Sequence, residues 1–385
     1  MAAAWRYEFA DLLTDRPIAT LALTGVSFDR RIIQPGAFKA TIPVPNRRVA
    51  EQARRIAAPL PEEGHTGPGR TVVHVYRGAR DLWGTYLLWT ATPSGDERGR
   101  ISVELQGASL ESYLDHREIW ADLTYTSVDQ TTISTALVGH MQAAGGPASI
   151  GLTTASVPSG VLRNAAYKAS ESNTYGAKLA ELANVDGGFE YMIRTYHGDA
   201  GRVREFAAAP VLGQDTTDHR FTRPGNVLSW SYPSDATTAA TRWRARGDAV
   251  SDDLAADSEP LLSNIQTADP MIAAGWPYLD RTVDYQGART VTDLDAYARW
   301  WRDTRSGVIR VPQATIRLDA KTAISPHRLG GYARLTIADD WFPLDADGRP
   351  TFSVRWRVVG LEVTPETRSA GDVARLIFAE EEETT

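Results

Sequence analysis

Residues 101–116, ISVELQGASLESYLDH, change their hydrophobic period part-way along, and that change sets the fold class. Ile101, Val103 and Leu105 alternate with Ser102 and Glu104, the period of two of a strand with one apolar and one polar face. Such a strand belongs in an antiparallel sheet with one wet side. Beyond Gly107 the alternation stops, and Ser109–His116 reads as a helix with Ser109 as its N-cap.

On the N-terminal side everything reads as β. Tyr7–Leu13 and Ile18–Leu23 are apolar runs split by the turn cluster Thr14-Asp15-Arg16-Pro17. Residues 26–44 (VSFDRRIIQPGAFKATIPV) turn at Pro35-Gly36. Residues 46–58 predict a short helix with Val49, Ala53 and Ile56 on one face, Gly64–Gly69 a loop, and Thr71–Arg77 and Trp83–Ala91 two strands.

On the C-terminal side helices enter. Residues 130–143 place Ile133, Leu137 and Met141 four apart, with Gly145-Gly146 as the stop. Residues 173–183 place Tyr175, Leu179 and Leu182 on one face; after Gly187-Gly188, Phe189, Tyr191 and Ile193 alternate as a strand. Val227–Tyr232 reads as a strand, Trp243 sits in another, and residues 247–269 read as a polar loop. Residues 292–306 predict a helix with the apolar stripe Leu294, Tyr297, Ala298 and Trp301, opened by Thr292 and Asp295 at capping-box spacing. Residues 308–365 return to β, with strands at Arg334–Ile337 and Phe352–Val359, and Glu380–Thr385 form a charged tail. The class is α+β and β-rich, with a helix-containing α/β module over 109–206 between two β regions.

Composition limits the chemistry. At about 150 residues per domain, 385 residues make two to three domains. The net charge of −7 argues against a protein held on DNA or anionic lipid by bulk charge. The absence of cysteine removes disulfides, thiolate metal sites and cysteine nucleophiles. Of 41 basic residues only Lys39, Lys168, Lys178 and Lys321 are lysines, the skew of a GC-rich genome. The first 17 residues carry Glu8, Asp11 and Asp15 where a signal peptide needs an apolar run. No apolar run approaches the ~18–20 residues of a membrane span. The expectation is a chain made in the cytoplasm, without membrane insertion.

Catalytic constellations are sparse. Gly64–Gly69 is glycine-rich but leads into a strand, unlike a dinucleotide-binding turn. The seven histidines (His65, His74, His116, His140, His197, His219 and His327) include no i, i+4 pair, and neither HExxH nor GxSxG occurs. Asp339-Asp340 beside Trp341 is the acid pair that glycoside chemistry would use first, although adjacent strand residues point to opposite faces. Trp300-Trp301 and Arg242–Arg246 (RWRAR) read as core, interface or solvated-face residues before they read as glycan or phosphate contacts. No catalytic, cofactor-binding or metal-binding residue is expected.

Four segments carry a resemblance to the tail-hub, or baseplate-hub, minor tail proteins of long-tailed bacteriophages, in their actinophage-like form. They are Ser27–Pro45 (SFDRRIIQPGAFKATIPVP), the run from Val72–Arg77 and Trp83-Gly84 through Ile101–Gly107 into Ser109–Arg117, Leu179–Ile193 (LAELANVDGGFEYMI), and Phe352–Val363. The resemblance spans most of residues 5–365; residues 235–290 match nothing in the family pattern. It implies two β-barrel-like tube modules, at 1–107 and at 207–245 with 307–368. It further implies an α/β module at 108–206, an inserted segment at 246–306 bearing the 292–306 helix, and a tail at 369–385. It implies a homotrimer in which three copies present six similar modules, joining the distal tail or tail tube ring, the tape measure protein and a tip fibre or receptor-binding protein in the virion. DNA would pass through such a siphophage ring during ejection without specific binding. The competing readings are a tail-tip cell-wall or glycan hydrolase and a host-carbohydrate-binding tail protein. No C-terminal peptidase or glycosidase extension of the kind some hubs carry is expected.

Overall fold

The computed structural model describes residues 4–57, 66–199, 201–213, 219–249, 259–285, 288, 290–306, 312–318, 324–365 and 371–379. Seven strands and a helix build the first module: β1 (Trp5–Asp11), β2 (Pro17–Leu21), β3 (Thr24–Arg31), β4 (Ala37–Val44), α1 (Arg47–Ala57), β5 (Thr71–Arg77), β6 (Asp81–Gly95) and β7 (Ile101–Ser109). Their order in the sheet is β3-β4-β7-β6-β5-β1-β2. The two ends, β2 and β3, are joined by Ala22-Leu23 alone. A flat sheet would hold them about 29 Å apart, six strand spacings. Three peptide steps reach only about 11 Å. The sheet therefore curls until its ends approach, without a ladder between β2 and β3 among the described residues. Phe9, Phe28, Phe38, Ile42 and Tyr86 fill its interior, and α1 buries Ala53 and Ile56. Gly36 is required where it stands: a Cβ there would lie 2.0 Å from the Asp29 carbonyl oxygen.

The α/β module follows with α2 (Glu111–Leu114), β8 (Leu123–Asp129), α3 (Gln130–Gln142), β9 (Leu152–Ser156), β10 (Leu162–Tyr167), α4 (Tyr175–Ala183), β11 (Glu190–Gly198) and β12 (Gly201–Ala209). β8 pairs β10, and β11-β12-β9 form a second small sheet. α3 buries Ile133, Leu137, Val138 and Met141 and packs on β9 and β12. Its cap is Asp129, which accepts from the Thr131 N–H at 2.9 Å. Ser109 does not cap α2. Its Oγ accepts from the Gly36 N–H at 2.8 Å, so the strand runs on through Ser109 and the helix begins at Glu111.

Two more strands of the large sheet, β13 (His219–Arg223) and β14 (Val227–Ser231), precede a separate compact unit comprising Glu181–Gly188 and Ser231–Pro312. That unit holds β15 (Arg242–Ala249), β16 (Pro260–Leu262), β17 (Gln266–Thr267), α5 (Asp269–Ala273), β18 (Asp280–Asp284) and α6 (Val291–Arg305). Residues 242–245 thus leave the second β region and pair within their own sheet, because Trp243 and Ala245 face α6 with Leu294 and Ala298. Part of the predicted 247–269 loop, residues 250–258, lies outside the described residues; the rest contributes the end of β15, β16, β17 and the first residue of α5. The α6 capping box sits two residues earlier than the spacing predicts: Thr290 Oγ1 accepts from the Asp293 N–H at 3.1 Å. Asp295 instead accepts from both nitrogens of Asn264, at 2.7 and 2.8 Å.

The chain then completes the second module with β19 (Gln313–Arg317), β20 (Tyr332–Ile337), β21 (Phe352–Thr364) and β22 (Val373–Ala379). The segment from residue 369 is not all tail. β22 is an inner strand between β19 and β21, with Ala374, Leu376 and Phe378 buried. Residues 380–385 lie outside the described residues. The module's order is β13-β20-β21-β22-β19-β14, and its two ends are linked by Pro224–Asn226 alone. It too must curl, since a flat arrangement needs about 24 Å and the link reaches about 14 Å.

The modules share one strand order. β14-β19-β22-β21-β20 repeats β3-β4-β7-β6-β5; β13 takes the place beside β20 that β1 holds beside β5, but runs parallel to its neighbour where β1 is antiparallel. The bulges coincide as well, at Leu88/Thr90 of β6 against β7 and at Val358/Gly360 of β21 against β22. The two join where Gly360–Val363 of β21 pairs antiparallel with Phe28–Arg31 of β3, making one sheet of 13 strands.

Buried ion pairs clamp the modules together. Arg30 donates to both Glu111 oxygens at 3.2 and 3.3 Å, and Glu111 accepts from the Ile193 N–H at 2.7 Å. Both side chains are 3% exposed. Removing one partner strands the other charge. Glu111→Ala is expected to cost about 3–5 kcal/mol in urea unfolding, against at most about 1 kcal/mol for Glu51→Ala, which breaks the exposed Arg47–Glu51 pair. Equal losses would show that the buried pair is not a clamp.

Candidate functional site

The strongest concentration of polar side chains lies where β12 meets the first module. Arg202 and Arg204 alternate along β12 and converge on Asp15 in the β1–β2 turn. Arg202 Nε lies 2.6 Å from Asp15 Oδ2, and Arg204 Nη2 2.9 Å from Oδ1. Arg202 also reaches Glu8 at 2.5 Å, and Arg204 donates to the carbonyls of Leu12 and Ile150 at 2.6 and 2.8 Å. His74 sits beneath them, Nε2 on Asp15 at 3.1 Å and Nδ1 on Thr85 Oγ1 at 2.9 Å. Burial pushes the Asp15 carboxyl up, but hydrogen bonds from His74 and Arg202 outweigh it and hold it well below the usual carboxylate range. Burial also dominates at His74, and with the charges of Arg202 and Arg204 it keeps the imidazole below its ordinary value despite Asp15.

Two further clusters have the same form. Arg357 of β21 holds Glu190 of β11 through two bonds of 2.5 Å and donates to the Leu212 carbonyl at 2.7 Å. Asp372 accepts from Trp5 Nε1 at 2.8 Å and from Arg77 at 3.3 Å, with the Arg77 guanidinium 5.0 Å from the Trp83 ring centre. Every pair of modules is thereby bridged: first to α/β by Asp15 and Glu111, α/β to second by Glu190, first to second by Asp372. Each carboxylate is thus paired with an arginine of another module, which makes the clusters clamps; the buried Arg77 Nε is left without a partner.

The described histidines and Asp339 each have separate local partners. His116 stacks on Trp89 at 3.8 Å, His140 bonds the Tyr175 hydroxyl at 2.7 Å, His197 bonds Tyr76 at 3.2 Å, His219 stacks on Phe221, and His327 meets Asp81 at 3.2 Å. His65 and Gly64 lie outside the described residues. Among the described residues no group of three or more His, Asp or Glu could hold a metal ion. Asp339 is a loop cap: it accepts from Trp230 Nε1 at 2.8 Å and from the N–H groups of Trp341 and Phe342 at 3.1 Å. The Trp230 bond leads in holding its carboxyl below the ordinary value, the opposite of what a general acid needs.

The aromatic and arginine candidates resolve inside the smaller unit. Trp301 stacks on Trp243, ring centres 5.1 Å apart, and donates to the Tyr285 hydroxyl at 2.7 Å; Trp300 meets Trp301 edge-on. Parallel pairing of β15 with β18 sets Arg242 opposite Asp280 and Arg246 opposite Asp284. Both form two-pronged pairs at 2.5–2.8 Å. The RWRAR face is thus largely neutralised by the neighbouring strand.

No protein-family model matches the chain, and no curated protein matches it in sequence. Solved structures do match over its whole length. A 43 kDa tail protein of prophage MuSo2 from Shewanella oneidensis superposes with a TM-score of 0.60 at 11% identity, covering 97% of this chain and 98% of the other. A tail protein from Neisseria meningitidis MC58 gives 0.56 at 11% identity, with 97% of each chain covered. The prophage tail protein gp18 of Listeria monocytogenes EGD-e gives 0.52 at 12% identity, covering 97% and 94%. The chain therefore has the fold of prophage tail proteins, β-rich and α+β, from end to end.

The buried His74 gives stability a pH dependence of known sign. Its folded-state value lies below the ordinary 6.5, so the unfolded chain takes up the proton first as pH falls. The stabilisation is complete above 6.5 and is lost as pH drops below it. The thermal midpoint is expected to fall between pH 7.5 and about 5, above the range where carboxylates titrate, and His74→Gln is expected to flatten that slope. An unchanged slope in the variant would place the titration elsewhere.

Proposed function

We propose that this chain is a structural virion protein: a trimeric tail hub that connects the tail tube to the tail tip and surrounds the passage for DNA. The observation that carries this reading is the duplicated module. Two curled sheets with one strand order are joined edge to edge in a single chain. Three such chains present six near-equivalent modules, which match a six-fold tube on one side and a three-fold tip on the other. The whole-length likeness to three prophage tail proteins supports the same reading.

In that role the neighbours are the distal tail or tail tube ring, the tape measure protein and a tip fibre or receptor-binding protein. The location is the phage tail tip. A ring that passes DNA must not retain it, and fixed negative charge repels phosphate. Three copies at −7 each carry −21, and acidic side chains are proposed to outnumber basic ones along the inner wall.

Light scattering on the purified chain is expected to give three times 42.1 kDa, and electron microscopy of the virion one trimer at the tail end. A chain that is monomeric both in solution and in the particle, or a ring with an arginine-lined channel, would overturn the corresponding part of the reading.

A further inference from the structure

The duplication makes a residue-level statement about how copies meet. Inside the chain, β21 serves two neighbours along one edge. Phe352–Arg357 pairs β20, and after the Val358/Gly360 bulge Gly360–Val363 pairs Phe28–Arg31 of β3. β6 is the counterpart of β21 and is laid out in the same way. Asp81–Leu87 pairs β5, and the Leu88/Thr90 bulge follows. The counterparts of Gly360, Leu361, Glu362 and Val363 are Thr90, Ala91, Thr92 and Pro93, since Gly360 pairs Ile377 of β22 as Thr90 pairs Gln106 of β7.

Here the halves differ. Gly360, Leu361 and Val363 are buried by β3, whereas Thr90, Thr92 and Pro93 are exposed and Ala91 half-buried. Among the described residues β6 pairs only β5 and β7, and past the Leu88 carbonyl, which accepts from the Gly69 N–H at 2.7 Å, its edge on the β5 side is open. An open strand edge carries unmet backbone donors and acceptors. Pro93, tolerated at an edge, shortens it against indiscriminate pairing. The strand that fills this position in the other half is β3, and the counterpart of β3 is β14. β3 uses its C-terminal half for the seam; the C-terminal end of β14, at Ser229 and Ser231, is exposed.

We propose that the Thr90–Pro93 edge of β6 is the docking site for a second copy of this chain, which presents the C-terminal end of its β14 antiparallel, reproducing between copies the β3–β21 seam within one. The contact is head-to-tail: each copy gives β14 to the next and receives β14 on β6 from the previous one. Such a contact closes a ring or grows a filament according to its rotation, and this inference rests on the three-copy reading above for closure.

The chain has no cysteine, so introduced thiols report alone. Ser94→Cys/Ser231→Cys places one thiol beside the β6 edge and one at the end of β14, both at exposed positions. With a short bismaleimide, the double variant is expected to give a covalent trimer on a denaturing gel. An equimolar mixture of the two single variants is expected to stop at covalent dimer, and each single variant alone to stay monomeric. A wild-type chain that is trimeric by light scattering, with a double variant that does not cross-link or cross-links only to another tail protein, would overturn this docking site and leave the hub reading standing. A wild-type chain with no trimer in solution or in the particle would overturn both.

Discussion

Strand β21 is the constraint on which the molecule depends. It is 13 residues long, and no single neighbour covers one of its edges. Its first half completes the second module against β20; its second half carries the first module on β3. The bulge at Gly360 lets one strand bend between the two, as an extra residue locally increases twist and bend. A Cβ at Gly360 would lie 3.1 Å from the Ile377 side chain, so the backbone packs closely against the core at the bend. Residues on both sides of the seam are buried, Phe28 and Asp29 on β3 and Leu361 and Val363 on β21.

Around this seam the structure places arginine–carboxylate clamps. Glu111, Asp15, Glu190 and Asp372 each accept from at least one arginine across a boundary between modules. Burying such pairs is costly, and well-packed apolar side chains can hold as well. What the pairs add is geometry: a two-pronged guanidinium–carboxylate contact tolerates little sliding or rotation. Two modules joined at one fixed spacing gain rigidity from such contacts.

The same logic accounts for a fold kept at 11–12% identity with three prophage tail proteins. Strand order, curl and seam depend on alternation, turn length and bulge position, which many residues satisfy. The two halves of this chain make the point internally. Tyr86 and Trp356 hold corresponding places in β6 and β21 and are both buried, yet little else along these strands is alike. That is why a repeat plain in the pairing pattern leaves no trace in the residues.

Period and punctuation determined the elements in the sequence. Alternation in Ile101–Leu105, the four-residue spacing of Ile133, Leu137 and Met141, and the stripe Leu294, Tyr297, Ala298 and Trp301 all mark elements the structure contains, because they report local geometry. Cap and boundary assignments were weaker where two residues could serve: Ser109 went to Gly36 and Asp295 to Asn264, partners distant in the chain, and Val373–Ala379, near a charged terminus, proved to be core. Tertiary structure alone decided the β3–β21 seam, the clamps around Asp15, Glu111, Glu190 and Asp372, and the separate sheet of β15. Each joins residues far apart in sequence, and no local pattern specifies which strand edge another will meet. That choice is made by burial and charge pairing once the modules have curled.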